Sequence, residues 1–163
     1  MSRESIRKQL KNLDVSKLKL KNGNAIEKEL KRHAAVLADC IMEELDKVYD
    51  SYDPVVYERS YDLYNSLYID QTIKIDVTAS GASLSIGLLF DDGAMHRSFD
   101  GEMKNTAWLI NDGWQTHGRF ASIPYFGSRE ATNFIEHGIE KYKSKVSNPF
   151  TVELTKGTEV TYF

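Results

Sequence analysis

Cysteine is almost absent from this chain: Cys40 is the single thiol in 163 residues. One thiol rules out an intramolecular disulfide, and it agrees with a reducing compartment without demanding one. Cys40 lies beside an apolar helical stripe, which marks it as a buried structural thiol rather than a reactive one. Long apolar runs are also missing. No stretch approaches the roughly 18 apolar residues that a bilayer-spanning helix requires, and the N-terminus lacks the apolar core of a signal peptide. No membrane partner is expected. Signatures of chemistry are missing as well. The histidines at 33, 96, 117 and 137 form no HExxH, HxH or Cys/His arrangement with ligand spacing. There is no GxSxG, no Gly-rich phosphate loop and no nucleophilic cysteine motif. Asp91-Asp92-Gly93 lacks the alternating acids and the closing Glu of a calcium loop. No catalytic residue, cofactor or metal is therefore assigned. The one composite site left open is His96 and His117 with the Asp-rich loops beside them.

What is present is ordinary for a globular chain: 41% apolar and 28% charged residues, enough for one domain with a sizeable core. The net charge of −3 conceals an asymmetry. Residues 1–33 carry ten Lys/Arg against four Asp/Glu, a net +6, and the remainder carries −9. Such an arm could touch nucleic acid, dock on an acidic surface such as a neighbouring copy, or simply stay solvated. Lys17, Lys19, Lys21, Lys28, Lys31 and Arg32 lack the interleaved aromatics of a single-strand platform, so non-specific backbone contact is the most they could support.

Asn24–Tyr52 organises the rest. Ile26, Leu30, Ala34, Leu37, Ile41, Leu45, Val48 and Tyr52 recur at helical spacing and predict one long amphipathic helix. Asn24 is the expected N-cap with Glu27 completing a capping box, and Asp53-Pro54 is the expected stop. Before it, Ser5–Leu13 reads as a short helix and Asp14–Gly23 as a connecting arm. After it, Tyr57, Tyr61, Tyr64 and Tyr68 form a stripe read as half-buried packing. Thr72–Ala79 and Ala82–Phe90 alternate apolar and polar residues about Ser80-Gly81 and predict a hairpin covered by the long helix. Asp91–Lys104 reads as an exposed loop or loose strand pair. Thr106–Asn111 reads as a short buried element that ends at a glycine turn, and Trp114–Tyr125 as extended. Ser128 is the expected cap of a second helix over Arg129–Val146. Pro149–Phe163 resembles a hairpin turning at Lys156-Gly157. The predicted fold class is α+β: a long N-terminal helix and a second C-terminal helix on an antiparallel β-sheet, with N- and C-terminal arms. The predicted domains are a basic arm (1–23), an α+β core (24–148) and a C-terminal β-hairpin or arm (149–163). A lone hairpin is marginal in water, so this last one is expected to pair with a sheet edge of its own body or of a neighbour.

Tyr57-Glu58-Arg59-Ser60-Tyr61-Asp62-Leu63-Tyr64-Asn65-Ser66 resembles the Tyr-x-Arg-[Ser/Thr]-x-x-Leu-x-x-Ser stretch of a phage family, the small tail-completion or head–tail joining (neck) proteins of long-tailed bacteriophages. Ala107-Trp108-Leu109-Ile110-Asn111-Asp112-Gly113 resembles that family's apolar run ending in glycine. Pro124-Tyr125-Phe126, leading to Asn133-Phe134-Ile135, resembles its approach to a final helix. The likeness covers roughly 24–145. The family's Thr-Gly after the arginine is Ser60-Tyr61 here, and the loop at Asp91–Lys104 is longer. The resemblance implies a structural, non-enzymatic virion protein in the neck or tail, assembled in the host cytoplasm as a ring of identical subunits. Its partners would be itself, the neighbouring neck, adaptor and tail-tube proteins, and non-specifically the DNA in the channel. The candidate interface residues are Lys17, Lys19, Lys21, Arg59, Tyr61, Phe150, Val152 and Tyr162. Arg59 would be a structural or interface contact, paired with Asp62 or Asp53. The alternatives are a small nucleic-acid-binding or regulatory α+β domain and, from the histidines, a host-modifying enzyme.

Overall fold

In the computed structural model, which describes residues 14–51, 62–78, 81–91, 95–97, 101–115, 128–156 and 158–163, the apolar stripe forms helix α1, Ile26–Asp50. Leu30, Ala34, Ile41, Leu45 and Val48 on that stripe are buried, and Ile26 and Leu37 are half-buried. Its 25 residues make a rod of roughly 37 Å. The start differs from expectation. Ala25, not Asn24, occupies the cap position, and it offers no side-chain hydrogen bond. The cause lies in the arm, whose Leu20 N–H donates to Asn24 O (2.8 Å) while Ile26 N–H donates to Leu18 O (3.0 Å). These bonds hold Ala25 extended opposite Lys19, and the Asn24 amide turns to Glu29 Oε1 instead (3.1 Å). Glu27 pairs with Lys31 rather than with the cap. The expected Asp53-Pro54 stop, and the short helix at Ser5–Leu13, lie outside the described residues.

Helix α2 (Asp62–Ser66) buries Leu63 and Ser66 and leads directly into β1 (Leu67–Ile69). The two alternating runs form one long hairpin with an interruption. Its outer part pairs β2 (Lys74–Thr78) with β3 (Gly81–Ser85), and its base pairs β1 with β4 (Leu88–Phe90). Between the halves, four residues (70–73) face only two (86–87), and Asp70 N–H donates to Gly87 O at 2.9 Å. A two-residue offset preserves which side chains face inward, because strand side chains alternate with period two. The continuous strand expected over Ala82–Phe90 is therefore broken at Ile86-Gly87. The cover is also narrower than expected: among the described residues, it is the base, through Leu67, Leu88 and Phe90, that packs against the core under α1.

The polar stretch that follows contains a short pair, β5 (Met95–Arg97) with β6 (Met103–Asn105). β6 runs straight into α3 (Thr106–Asp112), where Asn105 Oδ1 accepts from Ala107 N–H at 2.9 Å as the N-cap. Gly113 ends α3 at φ +70°, and a Cβ there would overlap the Arg129 carbonyl, so this turn requires glycine.

The second long helix, α4, spans Phe134–Lys145 rather than starting at Arg129 under a Ser128 cap. Arg129 exchanges both backbone hydrogen bonds with Trp114, which keeps 128–130 extended. The helix then starts from Asn133 in the left-handed region (φ 50°), and its first turn is satisfied from elsewhere. Asn111, at the end of α3, accepts from Ile135 N–H through Oδ1 (2.9 Å) and from Asn133 N–H through its carbonyl (2.9 Å). One helix thus caps another.

α4 lies along α1 at a close crossing, with Gly138 against Ile41. Ile41, Leu45, Val48, Leu63, Ala107, Ile110, Phe134, Ile135 and Ile139 form the buried cluster between them. Lys141 bridges Glu43 (2.7 Å) and Glu44 (2.9 Å), and Lys145 reaches Glu43 (3.0 Å). Hydrogen bonds from these two lysines hold the Glu43 carboxyl down to about 2. The last element is a separate hairpin, β7 (Glu153–Lys156) with β8 (Glu159–Tyr162). It joins no other sheet among the described residues; Val152, Leu154 and Phe163 dock it on the core instead. The architecture is the expected α+β, divided into small antiparallel pairs rather than one sheet.

Candidate interface

The basic arm opens on a 3-10 turn, Val15–Lys17, and is extended over Leu18–Leu20 before it turns at Lys21. Lys17, Lys19 and Lys21 are exposed, and Leu18 and Leu20 between them are half-buried. Lys17 forms an ion pair with Asp14 (3.1 Å). The bonds to Asn24 and Ile26 use Leu20 N–H and Leu18 C=O. In an antiparallel bridge of this kind, the N–H and C=O of the intervening residue point away from the partner. Lys19 therefore presents its backbone groups on the open side of the arm.

The C-terminal hairpin has two unlike faces. Its register sets Thr155 against Val160 and Glu153 against Tyr162. Val152, Leu154 and Phe163 consequently face the core, whereas Val160 (45% exposed) and Tyr162 (68% exposed) face outward. Val152 and Phe163 exchange both backbone bonds (3.3 and 2.9 Å). By alternation, the N–H and C=O groups of Val160 and Tyr162 point to the outer edge of β8. The inner side is pinned by Lys156, which pairs with Asp112 and lies over the Trp108 ring (5.7 Å to its centroid).

The structure sorts the sequence-based interface residues. Lys17, Lys19, Lys21 and Tyr162 are on the surface. Phe150 and Val152 are committed to the body: Phe150 lies against the His33 ring (centroids 4.5 Å apart), and Val152 packs on the core. Arg59 and Tyr61 lie outside the described residues, as does His117. Val160 belongs with Tyr162 but was not separable from Val152 by alternation alone, since the turn register decides which face each occupies. Tyr68 and Leu89 form a second outward pair, directly opposite one another on β1 and β4.

Polar groups in the interior hold elements together. Arg32 Nη2 donates to His33 Nε2 (2.8 Å), so Nδ1 carries the imidazole proton and donates to Tyr142 Oη (2.7 Å). Phe150 N–H donates to the same oxygen at 3.0 Å. His33 joins α1, α4 and the approach to the C-terminal hairpin. Burial first, then the Arg32 charge, lowers its pKa, against the pull of Glu29. Cys40 is fully buried, and burial pushes its thiol up, away from the reactive thiolate range. Among the described residues no His/Cys/Asp/Glu group has the geometry to hold a metal, and no helix is long and apolar enough to cross a membrane.

Together these features define a helix-braced α+β body that carries a basic extended arm and an anchored hairpin with an open outer strand. The chain belongs to the YomN family, whose model matches residues 8–157. That membership makes it a phage-associated protein. The match takes in the arm, both long helices and β7, and β8 follows it. No curated protein and no solved structure matches the chain.

Proposed function

We propose that the protein is a non-enzymatic structural subunit of the phage neck, a tail-completion or head–tail connector protein acting as a homo-oligomeric ring. It would join the portal or adaptor side to the tail tube. The observation that carries this reading is membership of a phage-associated family across residues 8–157. The likeness of 57–66 to the neck proteins directs that membership to the neck. The buried His33 and Asn111 support it, because both are spent on tying helices together rather than facing a cleft. The test is the virion itself. Immunogold labelling should place the protein at the head–tail junction, and its deletion should leave DNA-filled capsids without tails. Its absence from purified virions would overturn the neck reading.

A second reading, a nucleic-acid-binding module, is favoured by the exposure of Lys17, Lys19 and Lys21. It requires a DNA affinity that falls steeply with salt, by a log–log slope of roughly 0.9 per phosphate neutralised. A salt-independent or undetectable affinity would remove it.

A further inference from the structure

We propose that the outer edge of β8 is a docking edge for a second copy of this chain, filled by that copy's extended Leu18–Leu20 segment. The inference rests on the self-assembling reading above and names the contact. Three observations meet here. The hairpin is held firmly on its inner side by Val152, Leu154, Phe163 and the Lys156–Asp112 pair, yet all four residues of β8 are exposed. An edge strand of this kind is a template for another strand, and natural edges are usually blunted by lysine, proline or a bulge. β8 reads Glu159-Val160-Thr161-Tyr162 and has none of these.

The arm supplies the complement. Leu18-Lys19-Leu20 is already extended, between a 3-10 turn that ends at Lys17 and a turn that begins at Lys21, and no described residue pairs with its open side. Lys19 offers one N–H and one C=O outward, and so does each of Val160 and Tyr162, so an antiparallel pair closes with donors facing acceptors. Charge selects this occupant. The arm lies in the segment of net +6 and the hairpin in the segment of net −9, with Glu153 and Glu159 on the two faces of the hairpin. A β8–β8 pairing of two copies would instead bring no lysine of the arm to Glu153 or Glu159. The lysine stems also suit the Tyr162 ring, which attracts cations on its face. The contact joins two different surfaces of the chain, so it can repeat head to tail from copy to copy and close a ring.

Two variants and a cross-link test this. In Tyr162→Pro the lost N–H is one the hairpin itself does not use, so the edge is blunted while β7–β8 stays paired; Lys19→Glu reverses the charge of the arm. Wild-type protein should grow in mass with concentration by light scattering and shrink with added salt. Both variants should remain monomeric, with circular dichroism and thermal melting like wild type. An oxidised mixture of Lys19→Cys and Val160→Cys chains should give a disulfide-linked heterodimer that neither chain gives alone. If wild type and both variants assemble equally and the mixture does not cross-link, the docking edge is wrong while self-assembly stands. Wild-type protein that stays monomeric at every concentration overturns both the edge and the self-assembling ring.

Discussion

His33 shows how one side chain fixes a pH response. Its neutral ring accepts from Arg32 and donates to Tyr142, and the groups facing it are Arg32 and Glu29 from α1, the Tyr142 hydroxyl from α4 and the Phe150 ring. Protonation would place a second N–H against the Arg32 guanidinium. The folded-state pKa lies below the unfolded value, near 6.5, so the unfolded chain binds more protons in this range. The stabilisation is complete above about pH 6.5 and is lost as pH falls through the depressed value. Thermal melting should therefore drop between pH 7 and pH 5, above the carboxylate range, and the drop should flatten in His33→Gln. An equal slope in that variant would assign the effect to other groups. Asn111 makes a separate case. Asn111→Ala strips the acceptor from the buried Ile135 N–H, so it should cost about 1–3 kcal/mol in a denaturant titration.

At the scale of elements, the crossing of α1 and α4 is decided by Gly138. Alanine there would gain about 1 kcal/mol of helix propensity. Its Cβ, however, would sit 2.7 Å from Ile41 Cα, and backbone cannot move aside as a flexible side chain can. Overpacking of this kind costs about 1–3 kcal/mol, so Gly138→Ala should lower stability on balance, read as a fall in denaturant midpoint. The sequence made the stripe of α1 legible because seven apolar positions at helical spacing, Ile26 to Val48, leave little choice of face. Cys40 and the inward Phe134, Ile135 and Tyr142 were readable for the same reason. The helix starts were not. Asn24 and Ser128 are good cap residues by local chemistry, but the Leu18–Leu20 and Trp114–Arg129 pairings override them, and such pairings between segments leave no local signal. The interruption at Asp70–Ile73 was hidden because its even offset keeps the alternation intact. The split of the terminal hairpin was hidden because Val152 and Val160 are equally apolar, and only the turn register sends one inward and the other out.

For the whole molecule, the buried polar groups and close helix contact make one cooperative body, with α3 capping α4 and α4 seated on α1. A body tied together in this way should open as a unit rather than fray from one helix. Cys40 lies on α1 next to Ile41, with no exposed surface and with the charges of Lys141 and Lys145 on α4 felt at its thiol. Because the chain holds no other thiol, a thiol reagent added to native protein reads a single event. Its rate of reaction, relative to the rate on denatured chain, gives the fraction of time the α1–α4 seam stands open. Gly138→Ala should quicken that reaction in step with its loss of equilibrium stability. A Cys40 that reacted at the denatured-chain rate would mean that the seam opens independently of the fold. The thiol that cannot form a disulfide thus serves as a built-in clock for the opening of the molecule, with no probe to be introduced.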